Sequence, residues 1–187
     1  MRFGAAAPSL LSALRLVLTP ASGHAILAGA HGRALAILVL AALTDGLDGW
    51  VARRFRLTTR FGAILDPIAD KILLSTIYVC LGIAGQVPIW LVGIVFGRDL
   101  FIVLLAVLGY LFTPIRDFPP SVWGKLSTFM QVATAAAVLM EKTGDFEWLR
   151  VTIPLLFAVV AAAAFWSAGH YLAVGLRRAY GTGTRQD

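Results

Sequence analysis

The feature that most restricts this chain is a succession of apolar runs, each close to the roughly 20 residues a helix needs to cross bilayer hydrocarbon. The breaks between them are too short to hold further domains. Six runs are expected, over Pro8–Ala28 (interrupted by Pro20), Ala34–Phe55, Phe61–Gly85, Val87–Phe112, Trp123–Met140 and Trp148–Leu176, with polar turns such as Thr113-Pro114 and Thr143-Gly144-Asp145 between them. Composition agrees: 59% of residues are hydrophobic and 14% charged, where a soluble domain carries about 25% charged residues. An ordinary soluble domain is excluded. The expectation is an all-α integral membrane protein with six transmembrane helices, built as a single domain over 1–187. The single cysteine, Cys80, lies in an apolar run, which excludes a disulfide framework and a thiolate metal site. The sequence has no internal repeat.

Sixteen Lys and Arg stand against ten Asp and Glu, a net charge of +6. In a membrane chain this excess reads as topology and contact with anionic membrane lipids, and not as nucleic-acid binding. With six crossings, one side holds ten basic residues: Arg2, Arg53, Arg54, Arg56, Arg60, Arg116, Lys125, Arg177, Arg178 and Arg185. The other holds three, Arg33, Lys142 and Arg150, with Arg15, Lys71 and Arg98 inside the spans. Both termini are therefore expected in the cytoplasm. The N-terminus matches neither a cleaved signal nor a transit peptide, so the first helix is expected to stay, in a bacterial plasma membrane.

Against this background four acidic residues stand out: Asp45 and Asp48 in the second run, Asp66 and Asp70 in the third. A carboxylate at mid-membrane costs roughly 2.5 to 3.5 kcal/mol even on the lenient insertion scale, and such residues face a bundle interior or a wet cavity. Asp45, Asp48 and Ala52 step by three and four and share a helix face; Gly62, Asp66 and Asp70 step by four. The short connection from Arg53 to Phe61 makes the two helices antiparallel neighbours, so the four carboxylates converge near the cytoplasmic end. Four such charges in a low-dielectric site require compensating cations. Two divalent ions balance them, and oxygen-only ligands favour Mg²⁺ or Mn²⁺ over Zn²⁺. A pair of such ions is the usual arrangement for displacement at phosphorus.

Asp45-x-x-Asp48-Gly49-x-x-Ala52-Arg53, followed by Gly62-x-x-x-Asp66-x-x-x-Asp70, resembles the defining motif of the CDP-alcohol phosphotransferase family. The resemblance implies a homodimer with six helices per subunit that moves a phosphatidyl group from CDP-diacylglycerol to an alcohol and releases CMP. It implies Asp45, Asp48 and Asp66 as principal metal ligands and Asp70 as general base, also touching the second metal. Gly49, Ala52, Arg53 and Gly62 would line the CDP pocket. The family's first-helix Asn-x-x-Thr-x-x-Arg is similar to Ser9-x-x-Ser12-x-x-Arg15 here, with both polar positions changed to serine and the arginine kept; Ser12 and Arg15 are CDP-binding candidates.

The motif does not name the acceptor. Asp66-Pro67-Ile68-Ala69-Asp70-Lys71, then Gly97-Arg98-Asp99, then Lys125-Leu126-Ser127-Thr128-Phe129-Met130-Gln131, together with His170-Tyr171, are similar to the CMP-forming cardiolipin synthases, which use phosphatidylglycerol. Glycerophosphate phosphatidyltransferases usually show Arg-Glu and further basic residues at the corresponding place; this chain has Arg98-Asp99 and no further arginine until Arg116. Arg98, Lys125 and Lys71 are acceptor-phosphate candidates. The plainer reading has Arg98, Asp99 and Lys125 pairing across helices and Lys71 neutralising Asp70. The alternative acceptor is glycerol 3-phosphate, and the alternative class is an ion or metal transporter using the same aspartates.

Overall fold

The computed structural model describes the backbone over 7–55, 60–112 and 121–181, and side chains over 14–44, 71–105 and 121–175. The described residues form helices and no strands: α1 (Ala7–Leu27), α2 (His31–Phe55), α3 (Arg60–Ile83), α4 (Ile89–Phe112), α5 (Val122–Thr143) and α6 (Glu147–Gly181). Each falls on one of the six apolar runs. Two details differ from the expectation. α1 runs unbroken through Pro20, as membrane helices tolerate; beside it Thr19 Oγ1 donates to Arg15 O (2.8 Å) and Ser22 Oγ to Thr19 O (2.7 Å). α6 is 35 residues long and continues past Leu176 to Gly181.

Two helix ends are set by glycine. Gly29 (φ 72°) and Gly85 (φ 70°) adopt the left-handed conformation, open to residues without a Cβ. Around the first, Ala30 N–H reaches Ala25 O (2.8 Å) and Gly29 N–H reaches Ile26 O (3.0 Å); around the second, Gln86 N–H reaches Leu81 O (2.9 Å) and Gly85 N–H reaches Gly82 O (3.0 Å). These paired bonds satisfy the last carbonyls of α1 and α3 in Schellman form. The turn between α1 and α2 is so short that the two helices run antiparallel. Ser121 caps α5, its Oγ accepting from Gly124 N–H at 3.0 Å.

The chain divides into two compact units. In the first, 1–89 with 135–150, α1 packs against both α2 and α3. Ile26, Leu38, Leu73, Ile77 and Leu81 form its core. Gly23 permits the close approach of α1 to α3: a Cβ there would stand 3.2 Å from Cys80 Sγ and 3.3 Å from Thr76 Cγ2. The second unit, 90–134 with 151–187, holds most of α4, the first half of α5 and most of α6; α4 supplies Leu91 and Val95 and α6 Val160 and Ala164 to its core.

Polar side chains join the apolar core, and large apolar ones lie on the surface. Arg15, Thr19, Ser22, Arg98, Ser127, Gln131, Thr134 and Ser167 are buried, while Val17 (68% exposed), Ile83 (68%) and Phe165 (66%) face outward. Such a surface suits hydrocarbon. Among the described residues, Glu147–Gly175 is long and apolar enough to cross a bilayer, with a mean hydropathy of 2.1; His31–Thr44 and Lys71–Ile83 are apolar but shorter. The remainder of α2 and α3 carries the aspartates and arginines.

At the α5–α6 junction an ion-pair cluster surrounds Glu141, which lies just beyond the expected span ending at Met140. Glu141 accepts from Lys142 Nζ (2.9 Å) and Arg150 Nε (3.0 Å), and Asp145 lies 3.5 Å from Arg150. The hydrogen bonds from Lys142 and then Arg150 hold the Glu141 carboxyl below the usual glutamate range. The stabilisation from a depressed carboxylate is present above the ordinary value of about 4.3 and is lost as pH falls through the lower folded value. The melting temperature of the detergent-solubilised chain should therefore drop on acidification below about pH 5, and Glu141→Gln should make the drop shallower. Superimposable pH curves would contradict this.

Candidate functional site

α2 carries Asp45, Asp48, Gly49, Ala52 and Arg53 without interruption, and α3 carries Gly62, Asp66 and Asp70. The three- and four-residue steps are thus steps along continuous helix, where such residues share a face. Asp48 lies seven residues before the end of α2 and Asp66 six after the start of α3; Asp45 and Asp70 each lie ten from those ends. At about 1.5 Å per residue, the inner pair and the outer pair are at matching distances along their own helices from the α2–α3 connection. The side chains of Ser12, Asp45, Asp48, Gly49, Ala52, Arg53, Gly62, Asp66 and Asp70 lie outside the described residues. Among those described there is no cluster of His, Cys, Asp and Glu suited to a metal.

Arg15 is described, and only 1% of it is exposed. On the same helix, Gly23 stands against Thr76 and Cys80 of α3. Arg15 is thus a buried guanidinium of the first unit. Lys71 is half-buried on α3.

In the second unit, Arg98 sits in a polar knot that joins three helices. Its Nη1 donates to Asp99 Oδ1 (2.6 Å) on α4, and Nη2 donates to Gly124 O (3.2 Å) on α5 and to Ser167 Oγ (2.8 Å) on α6. Beside it, Tyr171 Oη accepts from Ser121 N–H at 2.9 Å. The expectation of pairing across helices is corrected in one respect: Arg98 pairs with its chain neighbour Asp99, whereas Lys125, just past Gly124, is exposed. The reason is local, since adjacent side chains meet without ordering a second helix. Arg98 Nε and Ser127 Oγ are buried without a hydrogen-bond partner.

Sequence reasoning quoted Ser127 and Tyr171 without giving them roles, and it passed over Ser167 and Gly124. A signal was present. Gly124, Ser127, Gln131 and Thr134 recur at three- and four-residue steps, a small and polar stripe on one face of an apolar helix.

A sequence model of the CDP-alcohol phosphatidyltransferase family matches residues 5–169. The chain is 33% identical over 143 residues to a probable cardiolipin synthase (CMP-forming) of Drosophila melanogaster, covering 68% of this chain and 44% of that one. It therefore spans less than half the length of that relative. It is 31% identical over 176 residues to a probable phosphatidylglycerophosphate synthase of Mycobacterium tuberculosis, covering 90% of this chain and 81% of the relative. A putative cardiolipin synthase of the same species is 36% identical over 167 residues, covering 88% and 77%. The match extends from α1 into α6 and takes in both aspartate-bearing helices, so the chain belongs to the CDP-alcohol phosphatidyltransferase family.

Proposed function

We propose that the chain is a phosphatidyltransferase that uses CDP-diacylglycerol as donor and phosphatidylglycerol as acceptor, forming cardiolipin and CMP. The observation that carries the reaction class is the pair of unbroken helices bearing the family's aspartates and small residues at helical spacing. The donor set fits divalent cations: four carboxylates, no thiolate and no imidazole among the motif residues. Asp45, Asp48, Asp66 and Asp70 would hold two Mg²⁺ or Mn²⁺ ions. When bound, these ions neutralise the donor's diphosphate. Gly49, Ala52, Arg53, Gly62, Ser12 and Arg15 would form the CDP pocket, the small residues leaving room for the nucleotide beside the backbone.

Asp70 takes the proton of the acceptor hydroxyl. The acceptor oxygen forms a bond to the lipid-side phosphorus, the bond from that phosphorus to the bridging oxygen breaks, and CMP leaves with the electron pair. The acceptor choice is supported by the Arg98–Asp99 pair. A buried arginine already paired at 2.6 Å with a carboxylate suits a monoanionic phosphodiester better than the dianionic phosphate of glycerol 3-phosphate. Lys125 in the second unit and Lys71 in the first are the other acceptor-phosphate candidates. Glycerol 3-phosphate is the second reading, favoured by the relative named phosphatidylglycerophosphate synthase.

The reading includes a single domain crossing the membrane six times, with both termini and the site on the cytoplasmic face of a bacterial plasma membrane, and assembly as a homodimer. The family match running through 5–169 supports the single domain, and the ten-to-three split of basic residues supports the orientation. Purified chain supplied with CDP-diacylglycerol and, separately, phosphatidylglycerol or glycerol 3-phosphate should yield cardiolipin from the first. Phosphatidylglycerophosphate as the sole product would replace this acceptor by the second reading.

A further inference from the structure

α5 begins on a cap that it supplies only in part. In a capping box, the hydroxyl of the residue before a helix takes the N–H three residues on, and a Glu or Gln at that third position reaches back to the first residue's own N–H. Ser121 supplies the first half: its Oγ accepts from Gly124 N–H at 3.0 Å. The third position is Gly124, which has no side chain to reach back. The second half comes from another helix, because Tyr171 of α6 accepts the Ser121 N–H on its Oη at 2.9 Å. Space requires this exchange. A Cβ on the buried Gly124 would stand 2.9 Å from Tyr171 Oη and 3.2 Å from its Cε2.

The capped turn is tied to α4 as well. Gly124 O accepts from Arg98 Nη2 (3.2 Å), and that guanidinium is itself anchored to Asp99 and Ser167. Three helices of the second unit thus meet at one turn. The next residue is Lys125, whose N–H closes the turn on Ser121 O at 3.1 Å and whose side chain is exposed. A lysine is a point charge on a flexible four-carbon stem, so the backbone it hangs from sets where its ammonium can reach. The first turn of a helix frays unless its end is held, and here Tyr171 holds it.

We propose that Tyr171 is a positioning residue for Lys125: by completing the α5 cap from α6, it fixes the turn from which the lysine meets the acceptor's phosphate. The inference rests on Lys125 as an acceptor-phosphate residue and deepens that reading. It holds for either acceptor, since phosphatidylglycerol and glycerol 3-phosphate both bring a phosphate group. In this role Tyr171 touches neither substrate, so its hydroxyl bears on acceptor binding and not on the chemical step.

A double-mutant cycle on the purified chain tests it, with phosphatidylglycerol as acceptor, or glycerol 3-phosphate if the native chain consumes that instead. Lys125→Ala should raise the acceptor KM about tenfold. Tyr171→Phe removes one hydroxyl and should raise it about three- to fivefold, the factor by which a lost cap lowers the ordered fraction of the turn. Its kcat and its KM for CDP-diacylglycerol should stay within about twofold of native. In the double variant the acceptor KM should match that of Lys125→Ala alone, because the ordered turn then has no lysine to present. A hydroxyl that only stabilises the fold would shift kcat or both KM values and would add its effect in the double variant. Either result, or an unchanged acceptor KM in Tyr171→Phe, overturns the positioning role alone. An unchanged acceptor KM in Lys125→Ala overturns the reading of Lys125 and the positioning with it. If the native chain releases no CMP with either acceptor, the proposed function fails and the role of Tyr171 falls with it.

Discussion

Asp70→Asn is expected to lower CMP release from CDP-diacylglycerol by about 10²- to 10⁴-fold, the range supplied by a positioned general base. The amide has the shape of the carboxylate and none of its basicity, so α3 should fold as before. Asp70 lies ten residues into that helix, beyond the fraying first turn, where its backbone is held on both sides. Two readouts separate a lost base from a lost fold. The limb of the pH–rate profile attributed to the base should disappear in the variant, and its melting temperature should stay near that of the native chain. If Asp70 also touches a metal, the divalent concentration for half-maximal activity should rise as well. Full activity in Asp70→Asn would remove Asp70 from the reaction.

Removing divalent cations is expected to have the larger effect, abolishing transfer to background, with recovery on adding Mg²⁺ or Mn²⁺. In the proposed site, four carboxylates and a diphosphate donor would share one low-dielectric region, where Coulomb repulsion is far stronger than in water. Calorimetry should find two ions per chain in the presence of a CDP-lipid, and Asp45→Asn or Asp66→Asn should weaken that binding. Transfer that survives chelation, or a stoichiometry of one, would overturn the two-metal site. The transporter alternative predicts cation flux into sealed vesicles with no CDP-lipid present. Flux without CMP release would replace the transferase reading.

The helices were legible because hydrocarbon thickness sets their length and the pattern of apolar runs reports it directly. Pro20 misled, since a proline inside a membrane helix is tolerated where the surrounding structure re-satisfies the backbone, which apolarity does not report. The length of α6 was also underestimated, because a helix leaving the membrane continues through Arg177 and Arg178 where apolarity no longer marks it. The aspartate motif could be read from spacing alone: residues three and four apart on a helix share a face whatever the helix packs against.

The sequence by itself pointed to a helical membrane protein of this family and singled out four aspartates as the candidates for its chemistry, because those readings depend on local spacing and on the mismatch between charge and lipid. Only the tertiary structure decided that Arg98 is tied to Asp99, Gly124 and Ser167 at once. It alone decided that Gly23 brings α1 against α3, and that Tyr171 of α6 accepts the N–H of Ser121 over Gly124. A glycine or a buried arginine has the same letter in every context. What it does depends on which atoms a neighbouring helix brings within a few ångströms, and that is set by packing between segments far apart in the chain.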